Sequence, residues 1–182
     1  PVVVYVGNVK IGKGVKVLVD AVSPLTRRLG KSDVLVCVVG SGEDQAQIAA
    51  RVSELGVEKN VRLAGRQLHT DVPWWISAGD VFCLPTFTDG LPIALLEAMA
   101  LGLPAISTPV FAIPEAIRDG ETGVLVAPGV AAGLARAVLA LRDDPSWRAR
   151  LAERGRAHVL ATFDERRSAE CAWMAYQATT GW

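Results

Sequence analysis

The sequence lacks any charge imbalance: Lys and Arg number 19 and Asp and Glu number 19, so the formal net charge is zero. No broad field exists to draw in nucleic acid or an anionic membrane, and neither is expected as a partner. Long apolar runs are missing too. Those present are strand-sized, well short of the roughly 20 residues of a membrane-spanning helix, and no signal-peptide pattern is visible. Cysteine is scarce. Cys37, Cys83 and Cys171 form an odd set without metal-ligand spacing, and the first two lie in apolar runs. Buried thiols in a reducing compartment fit that pattern, and the expected location is cytoplasmic. The two histidines, His69 and His158, are solitary, so neither is read as a catalyst or a metal ligand, and no metal site is expected. Nor does any low-complexity run or linker divide the chain. With 182 residues, 51% of them hydrophobic, residues 1–182 are expected to bury one sizeable core as one domain.

What is present is alternation. The β-branched run over 1–6 reads as a strand buried on both faces, and the glycine loop 7–14 follows it. Val15, Leu18, Val22, Leu25 and Leu29 then recur at helical spacing, with Pro24 expected to kink or divide the helix. The order repeats: a strand over 34–39, a turn at Gly40-Ser41-Gly42, a helix over 44–55 with Gly56 as its cap, and a short strand over 61–63. A short helix with Trp74 and Trp75 leads into a strand over 81–84. A strand over 105–107, a short helix after Pro114 and a strand over 124–126 follow, then helices over 130–142, 146–161 and 164–178. The fold class is therefore α/β: a Rossmann-like, doubly wound parallel sheet of about six strands, with C-terminal helices from about 146.

Two glycine-rich loops invite phosphate-binding readings, and both fall short. Residues 7–13 fit the phosphate-loop spacing G-x-x-x-x-G-K, yet Gly14 stands where that motif needs a magnesium-binding Ser or Thr. At Gly40-Ser41-Gly42 the third glycine of a dinucleotide fingerprint is replaced by Gln45, so this is read as a tight turn without a functional role. The tryptophans are read as packing residues.

The chemistry concentrates at residues 85–123. Asp89 closes a polar loop, Gly90 supplies a turn, Pro92 takes the first position of a helix over 93–100, and Glu97 lies on that helix. A ligand at the helix start is expected to meet Asp89, free backbone N–H groups and Glu97 together. The run Asp89-Gly90-Leu91-Pro92-Ile93-Ala94-Leu95-Leu96-Glu97 resembles the signature of the retaining glycosyltransferases of glycosyltransferase family four, Glu-Gly-Phe-Gly-Leu-x-x-x-Glu. Its continuation also matches, through Glu97-Ala98-Met99-Ala100, Gly102, Pro104, Pro114-Glu115, Asp119-Gly120 and Gly123.

That resemblance covers nearly the whole chain. It implies the C-terminal, donor-binding half of a two-domain GT-B enzyme, with the N-terminal acceptor domain absent from the chain. The whole enzyme would move a sugar from a nucleoside diphosphate donor, a UDP-sugar by default, to a hydroxyl of a carbohydrate or lipid-linked acceptor. It would do so with retention and without an essential metal or cofactor. By the same resemblance, Asp89 orients the sugar and Lys13 holds the diphosphate; these are the catalytic assignments. Glu97 accepts the ribose hydroxyls, Arg66 and Gln67 face the base, and Gly7, Asn8, Gly90, Leu91, Pro92 and Ile93 complete the donor site. Three departures stand out: Asp89 is one methylene shorter than the family's glutamate, Asn8 replaces an arginine, and Phe111-Ala112 replaces two glycines. Asparagine offers a neutral hydrogen bond where arginine offers a charged fork. A phenylalanine near the donor is expected to narrow the pocket, change sugar choice or mark loss of activity. A non-catalytic nucleotide-sugar-binding or regulatory module is the alternative these departures raise.

Overall fold

The computed structural model describes residues 1–30, 33–164 and 173. Its centre is a parallel sheet of β1 (Val2–Val6), β2 (Leu35–Val39), β3 (Val61–Gly65), β4 (Val81–Leu84), β5 (Ala105–Ser107) and β6 (Val124–Leu125). The strands lie in the order β3-β2-β1-β4-β5-β6. Val4 pairs with Cys37 of β2 on one side and Phe82 of β4 on the other, so β1 is central. Centrality explains the composition: Val3, Val4 and Tyr5 of β1 and all of β4 are buried, and with both faces covered, alternation with polar residues has no place.

The helices are α1 (Val15–Leu29), α2 (Gln45–Glu54), α3 (Val72–Ser77), α4 (Ile93–Ala100), α5 (Ile113–Ala116), α6 (Ala131–Asp143) and α7 (Pro145–Thr162). Right-handed crossovers that first step one way from β1 and later the other put α1 and α2 on one face, α4 and α5 on the opposite one. The packing agrees, since α1 contacts α2 and α6 while α4 contacts α3 and α7. The apolar stripe read from sequence is the buried one: Val15, Leu18, Val22 and Leu25 face the core. Pro24 does not divide α1, which runs through it to Leu29. One lost backbone bond is outweighed here by the burial of Leu25 and Thr26 beyond it. β3 runs on past the expected end at 63 to Gly65, and α7 extends one residue beyond the expected 146–161 at each end.

Cys37 and Cys83 are buried free thiols. Burial pushes both up in pKa, with Arg62 opposing it at Cys37, so they carry packing rather than thiolate chemistry. Cys171 and most of the helix expected over 164–178 lie outside the described residues. Among the described residues no helix is long and apolar enough to cross a membrane.

Candidate functional site

The chain leaves β1 toward β2 and later returns to β4 on β1's other side. The loops after β1 and β4 therefore diverge, opening a crevice at the carboxyl ends of these strands where doubly wound sheets take ligands. The loop after β1 is fastened from the neighbouring turn. The Val9 N–H donates to the Ser41 carbonyl (3.1 Å), Asp44 N–H to the Val9 carbonyl (3.2 Å), and Ile11 N–H to the Asp44 carboxylate (2.7 Å). A Cβ at Gly42 would collide with the Asn8 side chain and the Val9 carbonyl. The Gly40-Ser41-Gly42 turn, read as having no role, thus seats the first site loop.

The loop then makes a 3-10 turn over Ile11–Lys13 and enters α1 through Gly14, whose φ of 78° is left-handed. A side chain there would run into the Pro85 carbonyl. Serine or threonine is excluded by contact as well as by backbone conformation, which is the physical reason the phosphate-loop pattern stops at Lys13.

From the other side the acidic loop is strapped onto Gly12. The Phe87 N–H donates to its carbonyl (2.9 Å), as do the Thr86 and Thr88 hydroxyls (3.3 and 3.4 Å). This brings Asp89 against Lys13 in an ion pair, with side chains 16% and 28% exposed. Tyr5 lies beneath, its hydroxyl donating to the Asn8 carbonyl (2.8 Å). Burial, and then the Asp89 charge, push its phenol up, so it stays neutral.

The resulting cleft holds about 470 Å³ and brings together Gly7, Asn8, Lys13, Asp89, Leu91, Pro92 and Ile93. It also takes in Tyr5 and Leu84, which the sequence reading passed over. The available signal was a polar-tipped residue inside an otherwise aliphatic strand. Pro92 caps α4 in an extended conformation, ψ 126°, one residue before the helical turn it was expected to begin. Gly90 does not line the cleft; its carbonyl accepts the Ala112 N–H (3.1 Å).

Glu97 is not in this cleft. Half-buried, it lines a neighbouring cavity of about 470 Å³ with Leu96, Ala100, Val159 and Phe163, and Ile93 borders both. Four residues make one helical turn, so Glu97 stacks one turn deeper than Ile93 on the same side of α4. The expected convergence of Asp89 and Glu97 becomes two adjoining cavities. Arg66 and Gln67 also stay away from the cleft: they follow the edge strand β3, two strands from β1. The Gln67 amide donates to the Ala64 carbonyl (2.8 Å).

The tail of the motif fastens neighbouring elements. Asp119 accepts the Leu125 N–H (2.8 Å), and the Glu115 carbonyl meets His158 Nε2 of α7 (2.7 Å). The latter contact also satisfies that histidine.

Phe111 does not narrow the cleft. Its side chain is 73% exposed and absent from the lining. What the glycine-to-phenylalanine departure alters is backbone energy, because φ is +46°, the only positive value outside glycine among the described residues. Phe111→Gly should therefore raise stability by about 0.5–1 kcal/mol, or roughly 1–4 °C in Tm, measured by thermal melting. An unchanged or lower Tm would mean that the ring's contacts outweigh the strain.

Comparison with known proteins bears on what this cleft belongs to. The lipopolysaccharide core biosynthesis glycosyltransferase LpsE of Rhizobium meliloti is 35% identical over 163 residues, 90% of this chain and 46% of the relative. The alpha-D-kanosaminyltransferase of Streptomyces kanamyceticus is 34% identical over 153 residues, 84% of this chain and 39% of the relative. The chain thus spans less than half the length of both. A crystal structure of Anabaena HepE in complex with UDP superposes with a TM-score of 0.84 at 22% identity, over 95% of this chain and 48% of that one. Residues 1–144 match the family described as glycosyl transferases group 1, and the chain belongs to that family.

Proposed function

We propose that these residues form the donor-binding part of a retaining glycosyltransferase of GT-B architecture that takes a nucleoside diphosphate sugar. The observation that carries the reading is the Lys13–Asp89 pair at the sheet's switch point, a cation for phosphate beside a carboxylate for sugar hydroxyls. The UDP in the Anabaena neighbour, on the same fold, supports a uridine donor. Lys13 and the first N–H groups of α4 would take the diphosphate and stabilise the charge it gains as the sugar leaves. Asp89 would release Lys13 and turn to the sugar. Glu97, one turn deeper, would hold ribose in the adjoining cavity.

A thermal-shift panel of UDP, GDP, ADP and ATP tests the reading: UDP should raise Tm most, because a ligand selective for the folded state stabilises it. No shift with any of the four would end it. In the intact enzyme Glu97→Gln should chiefly raise the donor KM, by roughly tenfold or more, because ribose gains no charge during reaction. A fall in kcat at constant KM would move Glu97 to the reacting centre. The 182 residues alone should bind donor without transferring sugar; measured transfer would refute their assignment to donor binding alone. Asn8, an exposed neutral residue lining the cleft, favours one second reading, a module that binds a nucleotide sugar without turnover. Transfer by the intact protein separates the two.

A further inference from the structure

Behind the acidic loop the apolar core is interrupted by a cluster of hydroxyls. Among the described residues, the serines and threonines with 0% exposure are Thr86, Ser107 and Thr108. All three sit at or just past the carboxyl ends of β4 and β5. Burying a hydroxyl is costly unless it is bonded, and here every bond goes to main chain. The Ser107 hydroxyl donates to the Leu84 carbonyl (2.7 Å) and the Thr108 hydroxyl to the Thr86 carbonyl (2.5 Å). These are the carbonyls on either side of Pro85, whose own carbonyl faces Gly14. The β4–β5 ladder ends at Leu84 and Ser107, so the Thr108 hydroxyl supplies a donor that the ladder no longer does. Valine would fill the same space without that donor, and packing therefore does not account for threonine at 108.

Holding the Thr86 carbonyl also holds its side chain in place. That hydroxyl donates to the Gly12 carbonyl and accepts the Thr88 N–H, both at 3.3 Å. Gly12 immediately precedes Lys13, and Thr88 immediately precedes Asp89. The relay thus runs from β5 through Thr86 to both members of the ion pair, although neither Ser107 nor Thr108 lines the cleft. We infer that Ser107 and Thr108 are positioning residues for sugar transfer: acting through the Leu84 and Thr86 carbonyls, they hold the acidic loop where Asp89 reaches Lys13 and the donor sugar. The loop that carries Lys13 is fastened separately through Ser41 and Asp44, so a slack acidic loop displaces Asp89 first. The catalytic part of this inference rests on the donor reading above; the positioning part does not.

Amide hydrogen exchange followed by NMR tests the positioning part without a ligand. Thr108→Val should speed exchange of the Phe87 and Thr88 amides by roughly tenfold or more, while the Ile48 amide of α2, bonded to the Asp44 carbonyl, exchanges as before. Thr108→Ser, which keeps the hydroxyl, should match the wild type. Should Thr108→Val fail to fold, Ser107→Ala carries the test, because the Leu84 carbonyl also accepts the Thr86 N–H (2.9 Å) and keeps a partner. In that variant the same two amides should exchange roughly threefold faster or more. In the intact enzyme Thr108→Val should lower kcat roughly tenfold with donor KM near its wild-type value, and Thr108→Ser should restore kcat. Unchanged exchange at Phe87 and Thr88 in a folded variant, equal acceleration at Ile48, or a Thr108→Ser protein that behaves like Thr108→Val overturns the proposal. So does a rise in donor KM at constant kcat, which would place the effect on donor grip rather than on Asp89. If the wild type neither binds UDP nor transfers sugar, the donor reading fails while exchange still decides the positioning, so the two failures are distinguishable.

Discussion

Gly14→Ser, the change that would complete a phosphate-loop pattern, should instead cripple the fold. A non-glycine residue at a φ of 78° costs about 1–3 kcal/mol by itself. The new Cβ would also press into the Pro85 carbonyl, and forced overpacking adds about 1–3 kcal/mol. The two together predict a loss of about 2–6 kcal/mol, on the order of 10 °C in Tm for a chain this size, and a large share of the 5–15 kcal/mol that typically holds a domain together. The consequence extends to function, because Pro85 starts the acidic loop and Gly12 anchors it. A shift there separates Lys13 from Asp89. Thermal melting with and without magnesium and ATP checks the claim. A near-wild-type Tm, or magnesium-dependent ATP binding, would show that the loop accommodates a side chain after all.

Lys13→Ala and Asp89→Asn should have opposite signatures, although the two residues form one ion pair. Lys13→Ala removes a charge-assisted contact worth about 1.5–3 kcal/mol, so UDP should bind roughly tenfold to a hundredfold more weakly while uridine binds as before. Equal losses for both ligands would place Lys13 away from phosphate. Asp89→Asn removes the carboxylate that otherwise competes for Lys13, so UDP affinity should hold or rise. In the intact enzyme, however, kcat should fall by roughly tenfold to a hundredfold, because the sugar gains positive character only in the transition state. A collapse of donor binding with kcat unchanged would reduce Asp89 to a binding residue. Asp89→Glu, which restores the longer reach, tests whether the strapped loop has adapted to aspartate.

Much of the architecture was legible because it depends on local periodicity. The helix over 93–100 and the strands over 81–84 and 105–107 were read at their observed bounds, since buried strands and amphipathic helices leave patterns of period two or 3.6, or unbroken apolar runs. Pro24 misled because its cost is local while the burial that overrides it is not. Glu97 misled for the reverse reason. Spacing along one helix says which side a residue takes, but that Glu97 faces a cavity walled by Val159 and Phe163 depends on how a remote part of the chain packs.

By itself, then, the sequence determined the parallel α/β class, the strand that delivers Asp89 and the lack of a magnesium-binding hydroxyl at Gly14. Those follow from residue type and neighbours in the chain. The tertiary structure alone decided that Lys13 meets Asp89 across 76 positions, that Gly42 seats the first loop, that Arg66 and Gln67 stand apart, and that Phe111 carries backbone strain in place of a pocket role. Each depends on how close two remote backbones come, and that distance is set by strand order and close packing rather than by any local pattern.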